Sequence, residues 1–253
     1  MAKKFISSEL YSSEEELNNR EEFVKHFHGC PIPDCDLLQN LGLFLTSKNL
    51  SRILFMDHIY RKNLEVQGIV IEFGTRWGQN LALFSALRGI YEPFNRYRKV
   101  VGFDTFTGFP GLTDKDNENS VMHENGLACT DGYEKYLKDT MSFIEKDNPM
   151  SHVKKFDIRK GDAVEEIHRY FDEFPETIVS LAYFDLDIYE PTKECLEAIK
   201  THLVKGSILG FDELNDHDSP GETRSLNEVL GLNNVRVKRL PYVSRASYLE
   251  FGE

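Results

Sequence analysis

From Gly68 onward the chain alternates short, almost wholly apolar runs with amphipathic stretches, and this alternation limits the possible folds more than any other feature. GIVIEFG, KVVGFD, HVKKFDIRKGD, TIVSLAYFDLD and GSILGFDE read as strands; QNLALFSALRG, AVEEIHRYF and PTKECLEAIKTHL read as helices between them. Strands apolar along their whole length must be covered on both faces, which argues a parallel sheet with helices on either side. The tail, VRVKRLPYVSRASYLEFG, offers two consecutive strands about a turn at Pro241, an antiparallel edge hairpin. The expected architecture is an α/β, doubly wound, mostly parallel seven-stranded sheet. Gly89 is placed to end the first of these helices. Pro191 suits the first turn of the last, whose apolar stripe is Cys195, Ile199 and His202 or Leu203.

Residues 1–65 read as a helical extension or cap, and 66–253 as the sheet domain. Ser13 and Glu16 form a capping-box pattern, each side chain able to satisfy the other's backbone amide. The helix they open must stop before Pro31 and Pro33. DLLQNLGLF and a stretch from Ser47 through Tyr60 follow, the latter with Leu50, Ile53, Leu54 and Met56 or Asp57 on successive turns. Residues 112–150 are a polar interruption with a helix at GYEKYLKDTMSFIEK, long enough to act as a lid or substrate-binding insert.

Composition narrows the partners. With 30 basic and 42 acidic residues, net −12, the surface repels phosphate backbones and anionic lipid, so neither nucleic acid nor membrane is expected. No apolar run follows the first lysines as in a secretory signal, and none reaches the ~18 residues of a membrane span. Cys30, Cys35, Cys129 and Cys195 match no zinc spacing and are expected as reduced thiols of a cytoplasmic protein.

The residues with chemistry gather at strand ends. Glu72-Phe73-Gly74-Thr75-Arg76-Trp77-Gly78 closes the first strand, where glycine permits a tight turn and close approach of a ligand. Its two glycines do not make G-x-G-x-x-G, and a simple packing role stays open. Asp104 closes the second strand, where a carboxylate can accept both hydroxyls of a ribose; capping of the following turn is the alternative. Asp162, after the third strand, can meet an adenine amino group or cap the next helix, and the two roles are compatible. Asp185 and Asp187 end one strand, and Asp212 and Glu213 the next. Four carboxylates on one rim repel one another unless a hard divalent cation such as Mg²⁺ joins them.

Together GIVIEFGTRWGQN, VVGFDTFTGFPG, RKGDA, FDLDIYEPTKECLEAI and GSILGFDELN resemble the macrocin O-methyltransferase-like (TylF-type) family of class I S-adenosylmethionine-dependent methyltransferases, over roughly residues 65–230. The resemblance implies a Rossmann-like fold and S-adenosylmethionine as cofactor. Its methionine end would lie against Glu72, Gly74, Thr75, Arg76, Gly78 and Asn80, and its ribose against Asp104, Thr105 and Phe106. Asp162 and Ala163 would meet the adenine, with Asp185 also facing the cofactor. The resemblance further implies Mg²⁺ held by Asp185, Asp212 and Glu213, with Asp-Glu where members often have Asp-Asp. Asp187 would be the general base and His217 the reserve candidate, with an ordinary exposed loop histidine as the plainer reading of His217. The acceptor it implies is a sugar or other vicinal diol of natural-product biosynthesis, and relatives of this kind are often homo-oligomers.

Two other functions fit a fold of this kind. A nicotinamide-dependent oxidoreductase would want a third glycine and has no use for the acidic cluster. A non-catalytic cofactor-binding protein would have no need of Asp187.

Overall fold

The computed structural model describes residues 12–119 and 121–253. The chain divides into two compact units between Arg52 and Ile53. In the first, α1 (Glu14–His28) opens with the expected capping box: the Glu16 amide donates to Ser13 Oγ, and the Ser13 amide to Glu16 Oε2. It ends three residues before Pro31. A single turn, α2 (Asp34–Leu37), leads into a 3-10 segment, Leu38–Phe44. Phe44 meets Phe23 and Phe27 edge-on or tilted, at centroid distances of 6.4 and 4.8 Å. No described residue of 12–52 is buried.

α3 (Ser47–Asn63) buries Met56 but not the leucines of the stripe expected for it. Leu50 and Leu54 are 42% and 45% exposed, whereas Phe55, Met56, Ile59 and Tyr60 are fully buried in the sheet unit's core. The aromatic and β-branched side chains on that face supply the larger apolar area, which decides which side faces inward.

Seven strands form one sheet in the order β3-β2-β1-β4-β5-β7-β6. They are β1 (Ile69–Phe73), β2 (Val100–Asp104), β3 (Phe156–Lys160), β4 (Val179–Phe184), β5 (Leu203–Phe211), β6 (Lys238–Arg239) and β7 (Ser247–Glu250). The first five run parallel; β7 is antiparallel to β5 and β6, so the expected edge hairpin is present. Alternate side chains of each strand enter different cores. Ile71, Phe73, Val101, Phe184 and Phe211 pack with α6 (Ala163–Glu173), α7 (Tyr189–Lys200) and α8 (Gly221–Val229). Val70, Val100, Leu181, Tyr183 and Ile208 pack with α3, α4 (Gln79–Tyr91) and α5 (Tyr133–Asp147).

α5 seats Leu137 and Met141 in that second core, so the latter part of segment 112–150 is the crossover helix between β2 and β3. Gly89 does not end α4; the helix continues to Tyr91. A Cβ at position 89 would overlap the Asn148 amide, so the missing side chain serves the approach of the chain after α5. All four cysteines are free thiols, with Cys195 buried under α7 as its helical position predicts. No helix among the described residues is long and apolar enough to cross a membrane.

Candidate active site

The parallel strands deliver their carboxyl ends to one rim, where the order turns outward from β1 towards β2 on one side and β4 on the other. After β1 the chain turns through Gly74 (φ +85), Arg76 (φ +46) and Gly78 (φ +78). A Cβ on Gly74 would overlap the Asp185 carbonyl, and one on Gly78 the Leu137 side chain. Both glycines are therefore required by close approach as well as by backbone conformation. Thr75 and Asn80 are buried against this loop, Glu72 is buried at the end of β1, and Asn80 Nδ2 lies 3.5 Å from Asp185 Oδ2.

Asp104 binds the same turn. Its Oδ2 accepts the Arg76 amide at 2.6 Å and its Oδ1 the Phe106 amide at 2.5 Å. Burial raises its pKa, opposed by those two amides and by the Arg76 charge. Thr105 turns inward to donate to the Gly108 carbonyl at 2.9 Å, while Phe106 (φ +61) is buried. Asp162 caps α6, its Oδ1 accepting from the amides of Val164 at 2.8 Å and Glu165 at 3.2 Å, and Ala163 is buried behind it. The capping alternative is thus occupied at Asp162, through one of its two oxygens.

The acidic residues that end β4 and β5 converge on the rim. Oxygens of Asp185, Asp187 and Glu213 all come within 4.8 Å of one another. Asp212 stands outside this trio. Its Oδ1 accepts the Tyr183 hydroxyl, and its Oδ2 faces Arg245 at 3.7 Å. Asp212 and Glu213 both face Arg245, at 3.7 and 2.7 Å, but only Glu213 also reaches Asp185 and Asp187. Asp187, in a left-handed conformation (φ +60), lies within the trio.

A fifth carboxylate, Glu222, belongs to the cluster and is absent from the motifs read above. It is fully buried in the first turn of α8, where its Oε2 accepts the Glu213 amide at 3.0 Å. A Cβ on Gly221 would overlap the backbone of Asp187 to Tyr189, so this glycine lets α8 approach the β4 loop. Ser225 Oγ then donates to the Tyr189 carbonyl, 2.8 Å away. Burial and mutual repulsion shift the group together: Asp187 rises to about 6, and Glu213 and Glu222 rise well above the usual carboxylate range. Oε2 of Glu213 and Oε1 of Glu222 are buried with no hydrogen-bond partner. Orphaned carboxylate oxygens are costly in a protein interior, and this donor set suits a hard divalent cation.

His217 is exposed on the loop after β5, where its carbonyl accepts from Asn117 at 2.5 Å. The segment between β2 and α5 crosses both acidic loops. Asp116 Oδ1 accepts the Tyr189 amide at 2.8 Å, Lys115 Nζ reaches the Tyr189 hydroxyl at 2.7 Å and Glu228 at 2.6 Å, and Asn119 donates to the Asp218 carbonyl at 3.2 Å.

Neither a protein-family model nor a curated protein matches the chain. Solved structures do. The calicheamicin methyltransferase CalS11 is similar at 42% identity over 96% of this chain and 95% of its own, with a TM-score of 0.93. A second structure, of apo CalS11, described as a TDP-rhamnose 3′-O-methyltransferase in calicheamicin biosynthesis, is similar at 40% identity over 96% of this chain and 97% of its own, with a TM-score of 0.85. The O-methyltransferase NovP, at 13% identity over 79% and 78% and a TM-score of 0.57, shares the fold. The oxidoreductase and non-catalytic readings fall away with this likeness. The chain is an O-methyltransferase, and it belongs to the macrocin O-methyltransferase-like (TylF-type) family of class I S-adenosylmethionine-dependent methyltransferases.

Proposed function

We propose that this enzyme methylates a sugar hydroxyl in natural-product biosynthesis, using S-adenosylmethionine and a divalent cation such as Mg²⁺. The observation that carries this reading is the convergence of Asp185, Asp187 and Glu213 beside the Gly74–Gly78 turn. S-adenosylmethionine supplies the methyl group on a sulfonium. The turn from Glu72 to Gly78 with Asn80 binds its amino-acid end, Asp104, Thr105 and Phe106 receive the ribose, and Asp162 with Ala163 meets the adenine through the carboxylate oxygen not used for capping. These contacts orient the donor, and for an in-line displacement alignment is most of the catalysis.

A divalent cation, where bound, supplies positive charge that lowers the pKa of a neighbouring hydroxyl. Asp185 and Glu213 would hold it, with Asp187 or Asp212 completing the set. Asp187 accepts the proton of the acceptor hydroxyl at its carboxylate, which lies in the acidic trio beside the cofactor turn. His217, exposed and outside the acidic trio, is the reserve base. The insert of residues 112–150, whose Lys115 and Asp116 meet Tyr189 and whose Asn119 meets the Asp218 carbonyl, would shape the acceptor side together with the N-terminal helices. The sugar acceptor rests on the likeness to CalS11, and a vicinal diol fits a cation that clamps two neighbouring hydroxyls.

The surface of residues 12–52, with Phe23, Leu38 and Leu43 exposed, supports a homo-oligomer in which a second copy covers this face. The net charge of −12 supports a small-molecule partner in the cytoplasm rather than nucleic acid or membrane.

The test is calorimetric titration of the chelator-treated protein with S-adenosylhomocysteine, with and without Mg²⁺, followed by turnover on a panel of nucleotide-linked deoxysugars. Binding, and turnover that chelator abolishes, are expected. Turnover indifferent to chelator would remove the cation from the reading, and no binding under either condition would remove the cofactor.

A further inference from the structure

Chain topology brings a cation to the acidic rim from a distant part of the sequence. β7 runs antiparallel to β5 with Ser247 opposite Phe211. Carried two residues beyond the ladder, that register sets Arg245 across from Glu213. Opposite charges facing one another on neighbouring strands attract. The guanidinium meets Glu213 at 2.7 Å, Asp216 at 3.0 Å and Asp212 at 3.7 Å. Glu213 therefore belongs to two groupings, one with Arg245 and one with Asp185 and Asp187. The Arg245 side chain is 48% exposed, so its head can turn to solvent without unpacking any core.

We propose that Arg245 is a resident counter-ion that competes with the divalent cation for Glu213 and thereby sets how tightly the cation is held. This rests on the cation-assisted reading above. Without a cation, Arg245 offsets part of the repulsion among buried carboxylates and keeps the β5 and β7 loops together. With one, two positive charges contend for the same carboxylate. A positive charge that has to give up Glu213 opposes occupancy, and for a half-exposed guanidinium screened almost as in water its removal tightens binding by about tenfold. Arg245 is thus a positioning residue, acting through Glu213.

The experiment titrates the chelator-treated full chain with MgCl₂ alone in a calorimeter, comparing wild type with Arg245→Gln, Arg245→Lys and Asp185→Asn. The glutamine variant is expected to bind Mg²⁺ about tenfold more tightly than wild type. The lysine variant, which keeps the charge, should stay within about threefold. Should Arg245→Gln lose its cooperative melt, Arg245→Met offers a second neutral side chain of similar reach. A neutral variant that binds as wild type or more weakly, while Asp185→Asn binds nothing, overturns the competition and leaves the cation reading standing. No Mg²⁺ binding by wild type or by any Arg245 variant overturns both.

Discussion

The two rims of the sheet both bury charged side chains and treat them in opposite ways. At the amino ends of the strands Arg88, Arg98 and Lys155 are buried against Glu92 and Glu145. Arg98 reaches Glu92 at 2.9 Å, the Gly68 carbonyl at 2.7 Å and Ser180 Oγ at 2.6 Å, and Tyr60 donates to the same Glu92 at 2.7 Å. Arg88 pairs with Glu145 and donates to the Lys155 carbonyl at 2.8 Å, while the Lys155 ammonium meets Glu145 at 2.6 Å. At the carboxyl ends, Asp185, Asp187, Asp212, Glu213 and Glu222 crowd together, with the half-exposed Arg245 paired to Glu213 and Arg76 nearby. A paired buried charge holds strands in place, and breaking one pair leaves the partner stranded. An excess of one sign destabilises the fold, and such groups are kept where a ligand is to supply the balance.

Substitutions can break that contrast. The largest effect is expected at Asp187. Asp187→Asn should lower kcat by about 10²–10⁴-fold if its carboxylate is the base, with S-adenosylhomocysteine affinity little changed and the melting temperature unchanged or higher. Normal turnover would remove Asp187 from the chemistry. Arg98→Ala acts at the opposite rim and should cost about 3–5 kcal/mol in chemical denaturation, because Glu92 is left buried and unmatched. A loss below about 1 kcal/mol would mean that rim tolerates unmatched charge as the other does.

Acidity sharpens the comparison next. Asp187 rises from its ordinary 3.8 to about 6 in the folded protein, so folding favours its protonated form. The stability this contributes is present below pH 4 and is lost as pH rises through about 6. In chelator, wild type should therefore fall behind Asp187→Asn across that window by about 1–3 kcal/mol, and Mg²⁺ should narrow the gap. A gap that stays constant with pH counts against a strained acidic rim. The smallest effect is at the α6 cap. Asp162→Ala should cost about 1 kcal/mol of stability, and if the residue also meets adenine it should weaken cofactor binding by more than the cap alone accounts for.

Much of this was legible in the chain. Strands such as IVIEF and VSLAYF are buried at every residue, as continuous apolar runs require. Asp104 closes its strand, Asp185 follows its strand directly, and Asp162 and Asp187 lie within three residues of theirs, on the rim that parallel strands share. The failures share one cause, that burial depends on what lies opposite. Leu50 and Leu54 look as apolar as Phe55 and Met56, yet only the latter meet the sheet. Gly89 has the form of a helix terminator and instead makes room for Asn148.

The site divides in the same way. Sequence alone determined that acidic residues end β4 and β5, because strand ends and their carboxylates are local properties of a short stretch of chain. Only the tertiary structure decided which of them meet. Asp187 joins Asp185 and Glu213 through a left-handed turn, and Asp212 is drawn aside by Tyr183. Glu222 arrives on a helix that Gly221 allows close, and Arg245 arrives because antiparallel β7 carries residues 32 positions apart into register. Side-chain direction at a strand end is set by a single backbone dihedral, and partners across a sheet are set by register, neither of which a local pattern of residue types contains.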